Sequence, residues 1–99
     1  MLRENLMQSM RHHEQYKTLC ISTGDLGVQD LHNLKHIDSQ MVMERDTGFF
    51  IKLYDEEEYN MDEFQGLDWK TKVIINAARD AGFRMIEIDC DADRLTADT

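Results

Sequence analysis

Residues 89–93 read Asp-Cys-Asp-Ala-Asp. Three alternating carboxylates at the end of a strand-like run could collect Mg²⁺ or Ca²⁺, because hard cations take carboxylate oxygens. No glycine-rich or cationic element that would hold a phosphate adjoins Asp89, Asp91 and Asp93. The calcium-loop pattern, with glycine sixth and glutamate twelfth, is missing. A solvated strand end is the simpler reading, and no metal or other cofactor is expected. His32 and His36 stand four apart on an expected helix, the spacing at which two imidazoles can share a metal. Asn33 follows the first of them where the zinc-protease motif carries glutamate, so the pair reads as solvent-facing. His12 and His13 are adjacent and point to different faces. Cys20 and Cys90 could pair with a histidine as nucleophiles. Both fall in expected strands, Cys90 sits among aspartates, and a reactive thiolate wants cationic neighbours. They read as inert, buried or half-buried thiols. Ser22 and Thr23, in the run STGD, suit a turn and a helix cap better than a nucleophile. No catalytic constellation emerges, so a non-enzymatic protein is expected.

The remaining chemistry is charge. Twenty Asp and Glu face eleven Lys and Arg, a net charge of -9. Asp55, Glu56, Glu57, Glu58, Asp62 and Glu63 make one cluster; Glu87, Asp89, Asp91 and Asp93 make another. This argues against direct nucleic-acid binding, which needs cations to neutralise phosphates. It fits plain solubility, a basic protein partner, or imitation of a nucleic acid. If both clusters share one side, their carboxylates could stand where a basic groove expects phosphates. Tyr54, Tyr59 or Phe50 could then anchor the centre of the interface, as aromatics often do.

The elements that would position these groups are best written over residues 68–93. Asp68 is a natural N-cap. Trp69, Val73, Ala77 and Ala81 fall on one line of a helix, with Ile74 and Ala78 beside it as the core-facing stripe. Gly82 supplies the left-handed stop. The period then changes to two: Arg84, Ile86, Ile88 and Cys90 point one way, Met85, Glu87 and Asp89 the other. A helix returning through a glycine into a strand is a helix packed on a sheet.

Upstream, residues 1–14 read as a helix with Leu2, Leu6 and Met10 on one face, expected to pack on the domain ahead of serving as a partner-binding or dimerising arm. Residues 16–22 are strand-like, with Leu19 and Ile21 sharing a face. A turn at 22–25 leads to a helix over 26–37 carrying Leu31 and Leu34, its face completed by Val28 or Ile37. Residues 41–46 and 48–54 form a hairpin about Asp46-Thr47-Gly48, with Phe49, Ile51 and Leu53 on one side. The acidic run at 55–58 reads as an exposed loop, and residues 61–64 as a short helical turn.

Ninety-nine residues make one domain: an N-terminal helical arm at 1–15, a single α+β domain at 16–93, and a flexible tail at 94–99. The order after the first helix is β-α-β-β-α-β, so the expected fold is ferredoxin-like, an antiparallel four-stranded sheet with two helices on one face. No run of about 18 apolar residues would span a membrane, and residues 1–15 lack a signal-like apolar core, so the cytoplasm is expected.

Several segments resemble a family of small uncharacterised proteins from bacterial plasmids, prophages and genomic islands. The run Ser22-Thr23-Gly24-Asp25-Leu26 is similar to that family's Ser-Thr-Ala-His-Leu turn, with Asp25 where the family usually has histidine. Gly48-Phe49-Phe50 resembles its hairpin step. Ala77, Ala78, Gly82 and Ile88-Asp89-Cys90-Asp91-Ala92 resemble its closing helix and strand. Its closing Leu-Pro-x-Phe-x-Trp is absent. The likeness covers roughly residues 19–93 and brings no activity with it. The genomic setting, beside anti-restriction and toxin–antitoxin genes, implies an accessory protein of a mobile element.

Together these features lead to an acidic, non-enzymatic protein of a phage or other mobile element. It would bind and inhibit a basic host protein that handles nucleic acid, of the restriction or CRISPR kind. A homodimeric ferredoxin-like regulatory module is the alternative; a small metal-dependent enzyme using the aspartates is the third.

Overall fold

The structure is a computed structural model and describes residues 1–37, 41–54 and 66–95. The expected acidic loop and helical turn lie outside them. Three helices and four strands follow one another as α1 (Leu2–Arg11), β1 (Lys17–Ser22), α2 (Val28–His36), β2 (Val42–Arg45), β3 (Gly48–Lys52), α3 (Trp69–Asp80) and β4 (Phe83–Asp89). The chain is α+β, with both later helices serving the core beside one open sheet.

The sheet departs from the ferredoxin-like arrangement. Its strand order is β1-β4-β3-β2, and β1 runs parallel to β4 while the other two pairings are antiparallel. In the ferredoxin-like sheet β4 is an edge strand antiparallel to β1; here β4 is central. Side-chain chemistry accounts for the exchange. Ile86 and Ile88 of β4 are both buried, which suits a strand flanked on both sides. β1 carries Lys17, Thr18, Cys20 and Ser22 between its apolar positions and tolerates an edge.

Alternation puts Ile21, Phe49, Ile51, Ile86 and Ile88 on one face, where they meet Leu34 of α2 and Ile75 and Ala78 of α3. The register of β3 on β4 places Phe49 against Ile88 and Ile51 against Ile86. The opposite face carries Cys20, Met43, Phe50, Met85 and Glu87 and has no helix over it among the described residues.

The expected face of α3 is corrected, and that of α2 is resolved between its two alternatives. On α3 the buried residues are Thr71, Ile75 and Ala78, whereas Trp69 is 71% and Val73 54% exposed. Thr71 can face the core because its hydroxyl donates to the buried carboxylate of Asp30 on α2. Asp30 also accepts from the Asp68 N–H at 2.9 Å, and Asn33 donates to the Gly66 carbonyl at 3.1 Å. These bonds clamp α2 to the start of α3. Asp68 caps as expected, its carboxylate accepting from the Trp69 N–H, and Gly82 takes φ +93°, the left-handed stop. On α2, Ile37 is half-buried while Val28 is exposed.

α1 does not pack on the domain: none of its residues is buried. The core closes without it, because α2 and α3 already supply the second layer. Leu2, Leu6 and Met10 remain an uncovered apolar stripe.

Candidate functional site

Because β1, β2 and β4 run the same way and β3 runs against them, one end of the sheet gathers their carboxyl ends. The β4 exit and the β2–β3 turn meet there. The Cys90 N–H donates to the Thr47 carbonyl at 2.9 Å, and the Thr47 hydroxyl donates to Asp89 Oδ2 at 3.4 Å. Asp89 Oδ1 accepts from the Asp91 N–H at 2.8 Å, an Asx-type turn that reverses the chain after the strand. Asp46, Asp91 and Asp93 are exposed and Asp89 half-buried. Glu87, two residues back from Asp89 on the open face, has Arg45 at 3.6 Å.

Asp89, Cys90 and Asp91 can bring one ligand atom each within 4.8 Å of one another. The thiol is the weak member of that set. At Cys90 desolvation, then the charges of Asp91 and Asp89, push the pKa above the ordinary thiol value. At Cys20 desolvation, then Glu87 and Asp89, act in the same direction. Both thiols are therefore protonated at neutral pH and poor nucleophiles. Both are exposed, which corrects the expectation of burial: β4 ends at Asp89, so Cys90 leaves the apolar face, and Cys20 lies on the uncovered side of β1.

Ser22 closes a capping box on a 3₁₀ turn at Thr23–Asp25. Its hydroxyl accepts from the Gly24 N–H at 3.0 Å, and Asp25 accepts from the Ser22 N–H at 3.1 Å. Asp25 is buried and also accepts from the Leu95 N–H at 3.0 Å, with Arg94 Nε at 3.8 Å. The carboxylate standing at the histidine position of the resemblance thus fastens residues 94–95 to the start of α2. His32 and His36 sit on an exposed face of α2 with ring centres 4.5 Å apart. Among the described residues no third metal-binding group joins them.

The other end of the sheet is different. Gly48 opposes Asp89 and Lys52 opposes Met85, so Tyr54 lies about 20 Å from the acidic exit at roughly 3.3 Å per strand residue. There Tyr16, Lys17, Lys52, Tyr54, Arg84 and Met85 line a cavity of about 420 Å³. Asp55, Glu56, Glu57, Glu58, Tyr59, Asp62 and Glu63 lie outside the described residues. The expected partner-binding set is thus divided: Glu87, Asp89, Asp91 and Asp93 come together, and Tyr54 does not join them.

A family model matches residues 18–97, described as the C-terminal domain of a family of unknown function, DUF5983. The chain belongs to that family. Neither the curated proteins nor the solved structures contain a match to it. The DUF5983 match takes in α2, α3 and the sheet from Thr18 onward, and leaves α1 outside.

Sequence reasoning missed Asp30 and the cation cluster at the other end of the sheet. Asp30 reads on the chain as an ordinary polar residue of a helix's first turn. Lys17, Lys52 and Arg84 sit at the ends of three different strands and converge only through the strand order. The signal available was weaker: each stands within two residues of an aromatic side chain.

Proposed function

We propose that this DUF5983 domain is a non-enzymatic protein that binds a basic partner through the acidic end of its sheet. The partner class is a host protein with a cationic nucleic-acid groove, blocked in the service of a mobile element. The observation that carries the reading is the convergence of Asp46, Asp89, Asp91 and Asp93, held by the bond from the Cys90 N–H to the Thr47 carbonyl. Exposed carboxylates on a rigid strand end steer a cationic partner by long-range attraction. The raised thiol pKa values count against Cys20 and Cys90 as nucleophiles, and the Ser22 hydroxyl serves as a cap. The association should weaken steeply with salt. In a pull-down from the natural host followed by titration, Asp89→Lys with Asp91→Lys should lower affinity by about tenfold or more. Retention of full affinity, or indifference to salt, sinks the reading.

A second reading, self-association, is favoured by α1. A ten-residue helix with no packed face is marginal in water by itself, and its stripe of Leu2, Leu6 and Met10 is uncovered. Sedimentation equilibrium should then give a mass near twice the 11.7 kDa chain, and Leu6→Glu should return it to monomer. A monomeric wild type removes this reading and leaves the first untouched.

A further inference from the structure

The end of the sheet away from the carboxylates is built like a ligand site. Among the described lining residues of its cavity, three are cations and none is acidic, in a chain where acids outnumber bases twenty to eleven. Lys17 opens β1, Lys52 closes β3 and Arg84 is the second residue of β4. Each cation lies against an aromatic ring. Lys52 Nζ is 5.4 Å from the centre of Tyr54, Arg84 Cζ 5.8 Å from Tyr16, and Lys17 Nζ 4.9 Å from Phe83. Arg84 Nη1 donates to the Phe83 carbonyl and Lys17 Nζ to the Ala81 carbonyl at 3.3 Å, bonds that fix where these charges sit. Three cationic side chains are thereby gathered round one hollow.

We propose that this cavity binds a small anion carrying a flat ring, a nucleoside monophosphate or a compound of that class. The guanidinium fork of Arg84 and the ammonium groups of Lys17 and Lys52 suit phosphate or carboxylate oxygens. Tyr16 and Tyr54 offer ring faces, and Met85 an apolar floor. A volume of about 420 Å³ falls within the usual range for small-ligand pockets, about 300–1,000 Å³. A nucleic-acid strand is the weaker fit. It would carry further phosphates past the cavity and over a domain of net charge -9, which repels them. The site lies at the opposite end of the sheet from the carboxylates of the β4 exit, so it stands whether or not those carboxylates bind a partner.

The full chain is titrated with AMP at low ionic strength while the Met85 methyl and the tyrosine ring signals are followed by NMR. Adenosine supplies the ring without the charge, ribose 5-phosphate the charge without the ring, and a short oligouridylate the polymer. AMP is expected to shift Met85, Tyr16 and Tyr54. Adenosine and ribose 5-phosphate should each bind about tenfold more weakly or worse. Lys52→Gln and Lys17→Gln are exposed-site changes whose folding is read from the same spectra, and each should weaken AMP by about tenfold. The proposal is overturned by an absence of shifts at millimolar AMP, by shifts that neither variant reduces, by ribose 5-phosphate binding as tightly as AMP, or by the oligouridylate binding more tightly.

Discussion

Gly48→Ala is expected to destabilise the domain by about 3 kcal/mol or more. A Cβ added at Gly48 would stand 1.8 Å from the Ile88 carbonyl oxygen, 2.8 Å from its carbon and 3.3 Å from the Asp89 Cα. All three are backbone atoms of the central strand, so no flexible side chain can yield. Relief requires β3 to move off β4, and the ladder that pairs Gly48 with Asp89 and Phe49 with Ile88 would open with it. Urea unfolding should give a lower midpoint with little change in slope. A midpoint within error of wild type would disprove this account of the hairpin. The same variant loosens the acidic end of the sheet, because Thr47 and Asp89 are joined across that turn.

Asp30→Ala is the second large effect, a loss of about 3 kcal/mol. The Asp30 side chain is buried and accepts from both the Asp68 N–H and the Thr71 hydroxyl. Its removal leaves a helix N-terminus and a buried hydroxyl without their acceptor, and opens a void between α2 and α3. Thermal unfolding should fall by roughly 10–25 °C for a domain of this size. Asp30→Asn keeps one acceptor and should lose less. Asp93→Ala, at an exposed position, should stay within about 0.5 kcal/mol of wild type. Equal losses in Asp30→Ala and Asp93→Ala would show that the clamp contributes nothing.

That clamp also explains what the sequence disguised. Ile75 and Ala78 share the core face of α3 with Thr71, and a threonine in an apolar stripe hides it. The alternative line through Trp69, Val73, Ala77 and Ala81 reads better as hydropathy, yet it faces outward. Only Asp30, on another helix, makes Thr71 a comfortable core residue. Locally specified features were legible: Gly82 as a stop, Asp68 as a cap, the hairpin about Thr47, and the alternation of Ile86 with Ile88. Each depends on neighbours within a few residues. The sheet order was not legible, because the same β-α-β-β-α-β sequence of elements admits more than one choice of central strand. The site followed the same division. The carboxylates of the β4 exit are adjacent on the chain and could be seen together. The cations of the opposite cavity meet only when β1, β3 and β4 are laid side by side.

The parallel pairing of β1 with β4 has a consequence in time. Leu19 lies opposite Ile86, so β1, made before the other three strands of this sheet, finds its neighbour only after α2, the hairpin and α3 have been made. The hairpin can close on itself early, and β4 can join it as soon as α3 turns back through Gly82. β1 must wait, its backbone amides unpaired and Leu19 and Ile21 uncovered, and closing so long a loop slows its arrival. During synthesis this edge is the segment most open to mispairing with another nascent chain or to capture by a chaperone. Throughout that interval α1, which precedes β1, is already outside.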